Sequence, residues 1–194
     1  MSIKITQKDI NDAVWKACDT FRGSIDPSVY KDYVLTMLFI KYVSDVHDDK
    51  YESYLKKYNG DTARADRAMK TERFIVPDSC LFNKLYENRN ESNIGELIDI
   101  GLADLVEANR EKLYSEDGYG IFQNISFNSS VLGEVKDRNN RLRGLLIDFN
   151  SKKLDLRPSH LDGVDIIGGA YEFLIANFAR DAGKKAGEFF TPSE

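Results

Sequence analysis

Asp26-Pro-Ser-Val-Tyr-Lys-Asp-Tyr-Val-Leu-Thr-Met-Leu-Phe-Ile-Lys-Tyr-Val-Ser-Asp45 decides the fold. An acid followed by proline is a helix start. The carboxylate of Asp26 can accept from the open amides of the first turn, and Pro27 fills the first helical position, where no amide is needed. From Tyr33 to Ile40 only Thr36 is polar. A helix that is apolar around its whole circumference must be covered on nearly all sides, here by other helices. Lys31 and Asp32 at one end, and Lys41, Asp45 and Asp48 at the other, are expected to return it to a charged face. The expected fold is all-α: an irregular multi-helix bundle around a long central helix of about 27–48, with at most a short extended piece near 73–76.

The flanks supply the covering helices. Thr6 with Asp9 three positions on resembles a capping box, and Ile10, Val14, Ala17, Cys18 and Phe21 form one stripe that Gly23 closes. Trp15 lies off the centre of that stripe, at the core edge or at an interface, with the core edge favoured. Residues 49–70 are strongly charged and broken by Asn59-Gly60, which predicts a helix extension, a turn and a short solvated helix. The plain reading of this stretch is an exposed arm without a function of its own. Phe74-Ile-Val-Pro77 is extended, because proline biases the residue before it away from the helical region. Ser79 is the expected cap of a short helix through Tyr86. Ile94, Leu97, Ile98, Gly101, Leu102, Leu105 and Val106 keep helical spacing in a helix reaching Leu113, with Glu96, Asp99, Glu107 and Arg110 outward. Residues 121–136 show no decisive period. Asp137 is the expected cap of a helix containing Leu142, Leu145, Leu146 and Phe149, and residues 154–159 read as a linker. Val164, Ile167, Tyr171, Leu174 and Phe178 mark a last helix, stopped by Gly183 with Lys184 and Lys185.

The balance of charge, −5 over 194 residues, argues against a self-sufficient nucleic-acid module, though not against a local basic patch. Hydrophobic residues at 42% and charged residues at 30% are those of a globular domain with a core. Cys18 and Cys80 read as reduced structural thiols, and no apolar run approaches membrane-spanning length, so the expected location is cytoplasmic with no membrane partner. His47, beside Asp45, Asp48 and Asp49, reads as a solvated helix end rather than a metal site, and no Gly-x-Ser-x-Gly elbow is present. Lys136, Arg138, Arg141 and Arg143 sit at helical spacing. They are the candidates for phosphate contact, against the plainer reading of a helix face balanced by Asp137, Asp148 and Asp155.

Two stretches carry a resemblance. Phe21-Arg-Gly-Ser-Ile-Asp26 leading into Lys41-Tyr-Val-Ser-Asp45, and Ala170-Tyr-Glu-Phe-Leu174 followed by Gly183-Lys-Lys-Ala-Gly-Glu-Phe-Phe-Thr-Pro192, are similar to the modification (methyltransferase) subunit of type I restriction-modification systems. The resemblance implies an N-terminal helical domain over 1–183 and, at 184–194, the truncated start of an adenine-specific DNA methyltransferase domain. It implies that Glu188, Phe189, Phe190, Thr191, Pro192 and Ser193 line the S-adenosylmethionine site, although Ser193 stands where the family often has arginine. It further implies a specificity subunit, a restriction subunit, a second methyltransferase subunit and double-stranded DNA as partners. Enzymes of this class use an Asp/Asn-Pro-Pro-aromatic turn. The prolines here are 27, 77, 158 and 192, so this chain alone is expected not to transfer a methyl group and to bind no S-adenosylmethionine measurably. Its expected part is subunit assembly and DNA engagement. The competing readings are a free-standing helical interaction module and, with less support, a helical DNA-binding regulator.

Overall fold

The structure, a computed structural model, describes residues 5–114, 122, 124–151, 154–161, 165–166, 168–170, 172–174 and 176–178. Helix α1 (Gln7–Asp19) opens on the capping box its sequence announces: Thr6 Oγ1 accepts from the Asp9 amide, and the Thr6 amide donates to Asp9 Oδ2 at 2.9 Å. Its inner face is Ile10, Val14, Ala17 and Cys18. The helix ends at Asp19, so Gly23 belongs to the turn that follows rather than to the helix stop.

Helix α2 (Pro27–Lys57) is the axis, with Asp26 Oδ1 accepting from the Ser28 amide at 2.8 Å. At 31 residues it is about 46 Å long. Its buried side chains run from Tyr30 to Asp45 and stop there. The rest of α2 leaves the bundle as the first arm of a hairpin. Asn59 and Gly60, both at positive φ, turn the chain, and α3 (Thr62–Met69) folds back with Ala65 buried against α2. Lys50 pairs with Glu72, whose other oxygen accepts from Tyr54 Oη at 2.7 Å, and these contacts close the hairpin.

Beyond the hairpin the chain returns to the bundle through α4 (Phe82–Glu87), α5 (Ile94–Ala108), α6 (Arg110–Leu113) and α7 (Val135–Phe149). The expected single helix 94–113 is two, broken at Asn109. Ser79 lies in a 3-10 turn (Asp78–Cys80) and donates to Asp104, so it does not cap α4. The first residue of α7 is Val135, with Asp137 inside the first turn rather than at the cap. Gly101 lets α5 press on that 3-10 turn: a Cβ there would sit 2.5 Å from the Ser79 carbonyl oxygen. The expected linker is core as well, with Leu154 and Leu156 buried.

Residues 166, 168–170, 172–174 and 176–178 are helical, and Ile166, Ala170 and Leu174 join the same apolar cluster as α1 and α2. Val164, Ile167, Tyr171, Gly183, Lys184 and Lys185 lie outside the described residues. An isolated parallel bridge, Ile5 to Leu161, ties the start of the chain to the approach to this helix.

Candidate functional site

The Lys41-Tyr-Val-Ser-Asp45 run proves to be a structural staple. Lys41 and Asp45 are one turn apart on α2, so their side chains meet, and both are buried at 8% and 9% exposure instead of facing solvent as expected. Asp45 Oδ2 also accepts from the Leu156 amide at 2.7 Å, 111 residues along the chain. Burial pushes the Asp45 carboxyl up from its ordinary value, and Lys41 and the Leu156 amide oppose that shift. Ser44, between them, donates to the Ile40 carbonyl and accepts from the Phe82 amide at 2.9 Å, which closes the open N-terminus of α4. Three side chains of one helix turn thus hold α4 and the 154–161 segment to α2.

Next to the staple, Arg157 donates through Nε to Asp155 Oδ1 at 2.8 Å and reaches Glu52 at 3.2 Å, while His160 Nδ1 lies 3.0 Å from Asp155. The guanidinium holds the Asp155 carboxyl down at about 2, against an ordinary 3.8. A carboxyl lowered on folding adds stability that is present in full above its unfolded value and lost as pH falls through its folded one. Asp155→Asn should therefore cost about 1 kcal/mol at pH 6, the pair being partly solvated, and the deficit should shrink by pH 3. Urea denaturation of both proteins at the two pH values checks this, and a deficit independent of pH would contradict it.

The four candidate phosphate contacts divide. Arg138 Nη1 donates to the Asn128 carbonyl at 2.9 Å, and Arg141 Nη1 to the Leu132 carbonyl at 2.6 Å. These two hold the 128–132 loop on α7 and are half-buried. Lys136 and Arg143, seven residues apart on one side of α7, are exposed. The same loop is pinned from α5 by Asp99, which accepts from Ser126 Oγ at 2.7 Å, the Phe127 amide at 2.6 Å and the Asn128 amide at 3.2 Å. Asp99 was expected to face outward. Its partners lie 27 to 29 residues along the chain, in a stretch whose period is unreadable, and Phe127 is fully buried against the edge of Tyr33.

Trp15 is half-buried at the edge of the core. Phe173 meets it edge-on at 5.9 Å, Phe178 lies at 6.0 Å, and the Arg22 guanidinium stands 4.3 Å from its ring centre. Phe178 also meets Tyr30 of α2 at 5.5 Å. These rings seat the helical residues 172–174 and 176–178. Cys18 and Cys80 are buried free thiols, each pushed up to about 12 by desolvation, which makes them inert. His47 Nδ1 lies 3.2 Å from Asp48, and among the described residues no cluster of His, Cys, Asp and Glu is arranged to hold a metal ion. Glu188, Phe189, Phe190, Thr191, Pro192 and Ser193 lie outside the described residues.

Residues 10–149 match the HsdM N-terminal domain, and residues 162–194 match the N-6 DNA Methylase family. The chain belongs to the HsdM N-terminal domain family. It is 29% identical to the type I restriction enzyme MpnII methylase subunit of Mycoplasma pneumoniae, over 93% of this chain and 37% of that protein. The HindI methylase subunit of Haemophilus influenzae is 34% identical over 52% of this chain and 21% of its own length. A crystal structure of the type I restriction-modification system methyltransferase subunit from Streptococcus thermophilus superposes with a TM-score of 0.63 at 26% identity, over 97% of this chain and 42% of that one. The chain thus spans less than half the length of these relatives. The two family matches in this order make it an N-terminal part of a type I methyltransferase subunit, and a free-standing helical module is not favoured. Ile166, Ala170 and Leu174, within the methylase match, lie in the same apolar core as the residues of the HsdM N-terminal match.

Proposed function

We propose that this HsdM N-terminal domain serves an enzyme that transfers a methyl group from S-adenosylmethionine to adenine N6 in double-stranded DNA. In this reading the domain contributes subunit assembly and DNA engagement, and the chemistry lies in the methylase domain that residues 162–194 begin to match. The observation that carries it is the succession of the two family matches on one chain, 10–149 and then 162–194. In this reading the helical domain is assigned 1–183 and the cofactor-binding domain starts at 184.

The residue types of Glu188, Phe189, Phe190, Thr191, Pro192 and Ser193 suit that cofactor. Two aromatic faces can lie against an adenine ring or a methylsulfonium cation, and a carboxylate and hydroxyls can take its polar groups. When bound, the cofactor supplies the electrophilic methyl group. With no Pro-Pro-aromatic turn, the 194 residues alone transfer nothing. The partners in this reading are a specificity subunit, which reads the DNA, a restriction subunit and a second methyltransferase subunit, all in the cytoplasm. No helix among the described residues is long and apolar enough to cross a membrane. On α7, Lys136 and Arg143 are the exposed cations left for phosphate contact. Arg138 and Arg141 have the neighbouring loop to hold.

The test is transfer of labelled methyl from S-adenosylmethionine to duplex DNA by the full-length subunit assembled with its specificity subunit. The product expected on nucleoside analysis is N6-methyladenine. Label in cytosine, or no label with both subunits folded and assembled, sinks the reading. Calorimetry with the 194-residue chain should show no S-adenosylmethionine binding, and a micromolar affinity would mean that the chain holds a complete cofactor site.

A further inference from the structure

The α2–α3 hairpin was read from sequence as a solvated arm without a role. Its charges are not arranged as an ordinary solvated face. Between residues 56 and 73 the sequence places six cations (Lys56, Lys57, Arg64, Arg67, Lys70 and Arg73) against three carboxylates, in a chain of net charge −5. Two of the three carboxylates are engaged within the hairpin. Asp61 accepts from the Arg64 amide at 3.0 Å as the cap of α3 and lies 3.4 Å from Arg64 Nε. Asp66 lines the same pocket as Tyr51, and Glu72 is held by Lys50 and Tyr54. Lys56, Arg67, Lys70 and Arg73 are exposed, and among the described residues none of the four has an ion-pair partner.

Their placement is as telling as their number. Arg64, Arg67 and Lys70, three residues apart, fall on the side of α3 away from the buried Ala65. The arm that presents them is long. Helix α2 runs twelve residues beyond its last buried side chain, Asp45, so it carries Lys56 and Lys57 about 17 Å past that residue, and α3 brings Arg67 and Lys70 back along it toward Arg73, whose carbonyl accepts from Lys112 of α6. A polyanion nearing this molecule is repelled by the acidic body and drawn to the hairpin. Lys57 already covers the rings of Tyr54 and Tyr58, at 6.0 and 5.5 Å from their centres. Tyr54 and Tyr58 also stack on each other at 6.2 Å, so these rings have partners within the hairpin and the outer side of α3 offers cations rather than stacking faces, which favours the backbone of a duplex over unpaired bases.

We propose that the outer side of α3 with the residues just beyond it, through Arg67, Lys70 and Arg73, is a phosphate-contact surface for double-stranded DNA. This deepens the function proposed above and rests on it. The contact positions the duplex and reads no sequence.

The experiment compares the full-length subunit, assembled with its specificity subunit, as wild type and as Arg67→Ala/Lys70→Ala/Arg73→Ala. Duplex affinity is followed by fluorescence anisotropy across a salt series. Each lost phosphate contact should lower the slope of log K against log salt by about 0.9, so a fall of about 2.7 is expected for the three. The affinity should drop at least roughly tenfold at low salt, by the same factor for target and unrelated duplexes. The turnover rate at saturating DNA should hold, and Arg67→Lys/Arg73→Lys should keep the wild-type slope. An unchanged slope, or a loss confined to the target sequence, overturns the proposal. So does a loss of subunit association at unchanged slope, which would reassign the face to an acidic protein partner. If the wild type binds duplex but transfers no methyl, the enzymatic reading fails by itself, and the salt slopes still judge the hairpin.

Discussion

Lys41→Met should destabilise the domain by about 3–5 kcal/mol, the usual cost of removing one partner from a buried ion pair. Methionine keeps the volume and the stem packing, so the loss isolates the charge. What remains is the Asp45 carboxyl at 9% exposure, with the Leu156 amide as its hydrogen-bond donor at 2.7 Å. Burial already raises that carboxyl, and removing the ammonium raises it further. A carboxyl raised on folding favours the folded state below its unfolded value, and that advantage is lost as pH rises through the folded one. The Lys41→Met deficit should therefore be largest near neutrality and shrink in mild acid. Lys41→Met/Asp45→Asn should recover more than half of it, because the amide still accepts from Leu156 without carrying charge. Urea denaturation of the wild type, both single variants and the double variant measures all of this. A single-variant loss under about 1 kcal/mol would show the pair to be solvated.

The same pair shows where sequence reasoning stops. Asp26-Pro27 and Thr6 with Asp9 were legible because a cap and its partners lie within four residues. The apolar run from Tyr33 to Ile40 was legible because covering a whole helix circumference leaves few architectures. The turn at Asn59-Gly60 was legible from the residue types that tolerate positive φ. Lys41 and Asp45 were visible as a family-like run and still misread as a charged face. What buries them is Leu156 and Phe82, far along the chain, and no local period encodes either. Asp99 is the same case, with its three donors in residues 126–128.

The candidate site followed the same rule. Four cations at helical spacing on α7 looked equivalent in sequence, but the carbonyls of Asn128 and Leu132 claim Arg138 and Arg141. The hairpin cations looked dispersed among acids in sequence. Only in the fold does Lys50, from outside the 56–73 stretch, neutralise Glu72, which leaves the six cations there facing Asp61 and Asp66 alone. Charge counted along a chain is thus a poor guide to charge offered to a partner. What a surface presents is what remains after internal pairing.

Asn109→Leu should cost about 3 kcal/mol, because one side chain completes the hydrogen bonding of two chain segments. Asn109 is 5% exposed. Its Oδ1 accepts from the Ile75 amide at 2.9 Å, and its Nδ2 donates to the carbonyls of Ile75 at 2.6 Å and Leu105 at 2.8 Å. The amide thus acts as the strand neighbour that the extended 74–76 piece lacks, and it satisfies a carbonyl in the last turn of α5. That is also why the helix predicted to run unbroken to Leu113 breaks here. Leucine fills the space and leaves all three groups without partners, a penalty of about 1–3 kcal/mol for each one that water does not reach. Asn109→Asp distinguishes hydrogen bonding from shape. An ionised aspartate keeps the Ile75 amide but sets its second oxygen against two carbonyls, whereas the protonated acid can donate to one of them. Its carboxyl would then be raised on folding, so Asn109→Asp should be nearest to wild type below the usual carboxyl range and lose stability as pH rises through its folded value. The Asn109→Leu deficit should be flat over the same range. Denaturation midpoints of the three proteins at pH 3.5 and pH 7 settle it, and parallel behaviour of the two variants would mean that packing rather than hydrogen bonding holds residues 74–76 in place.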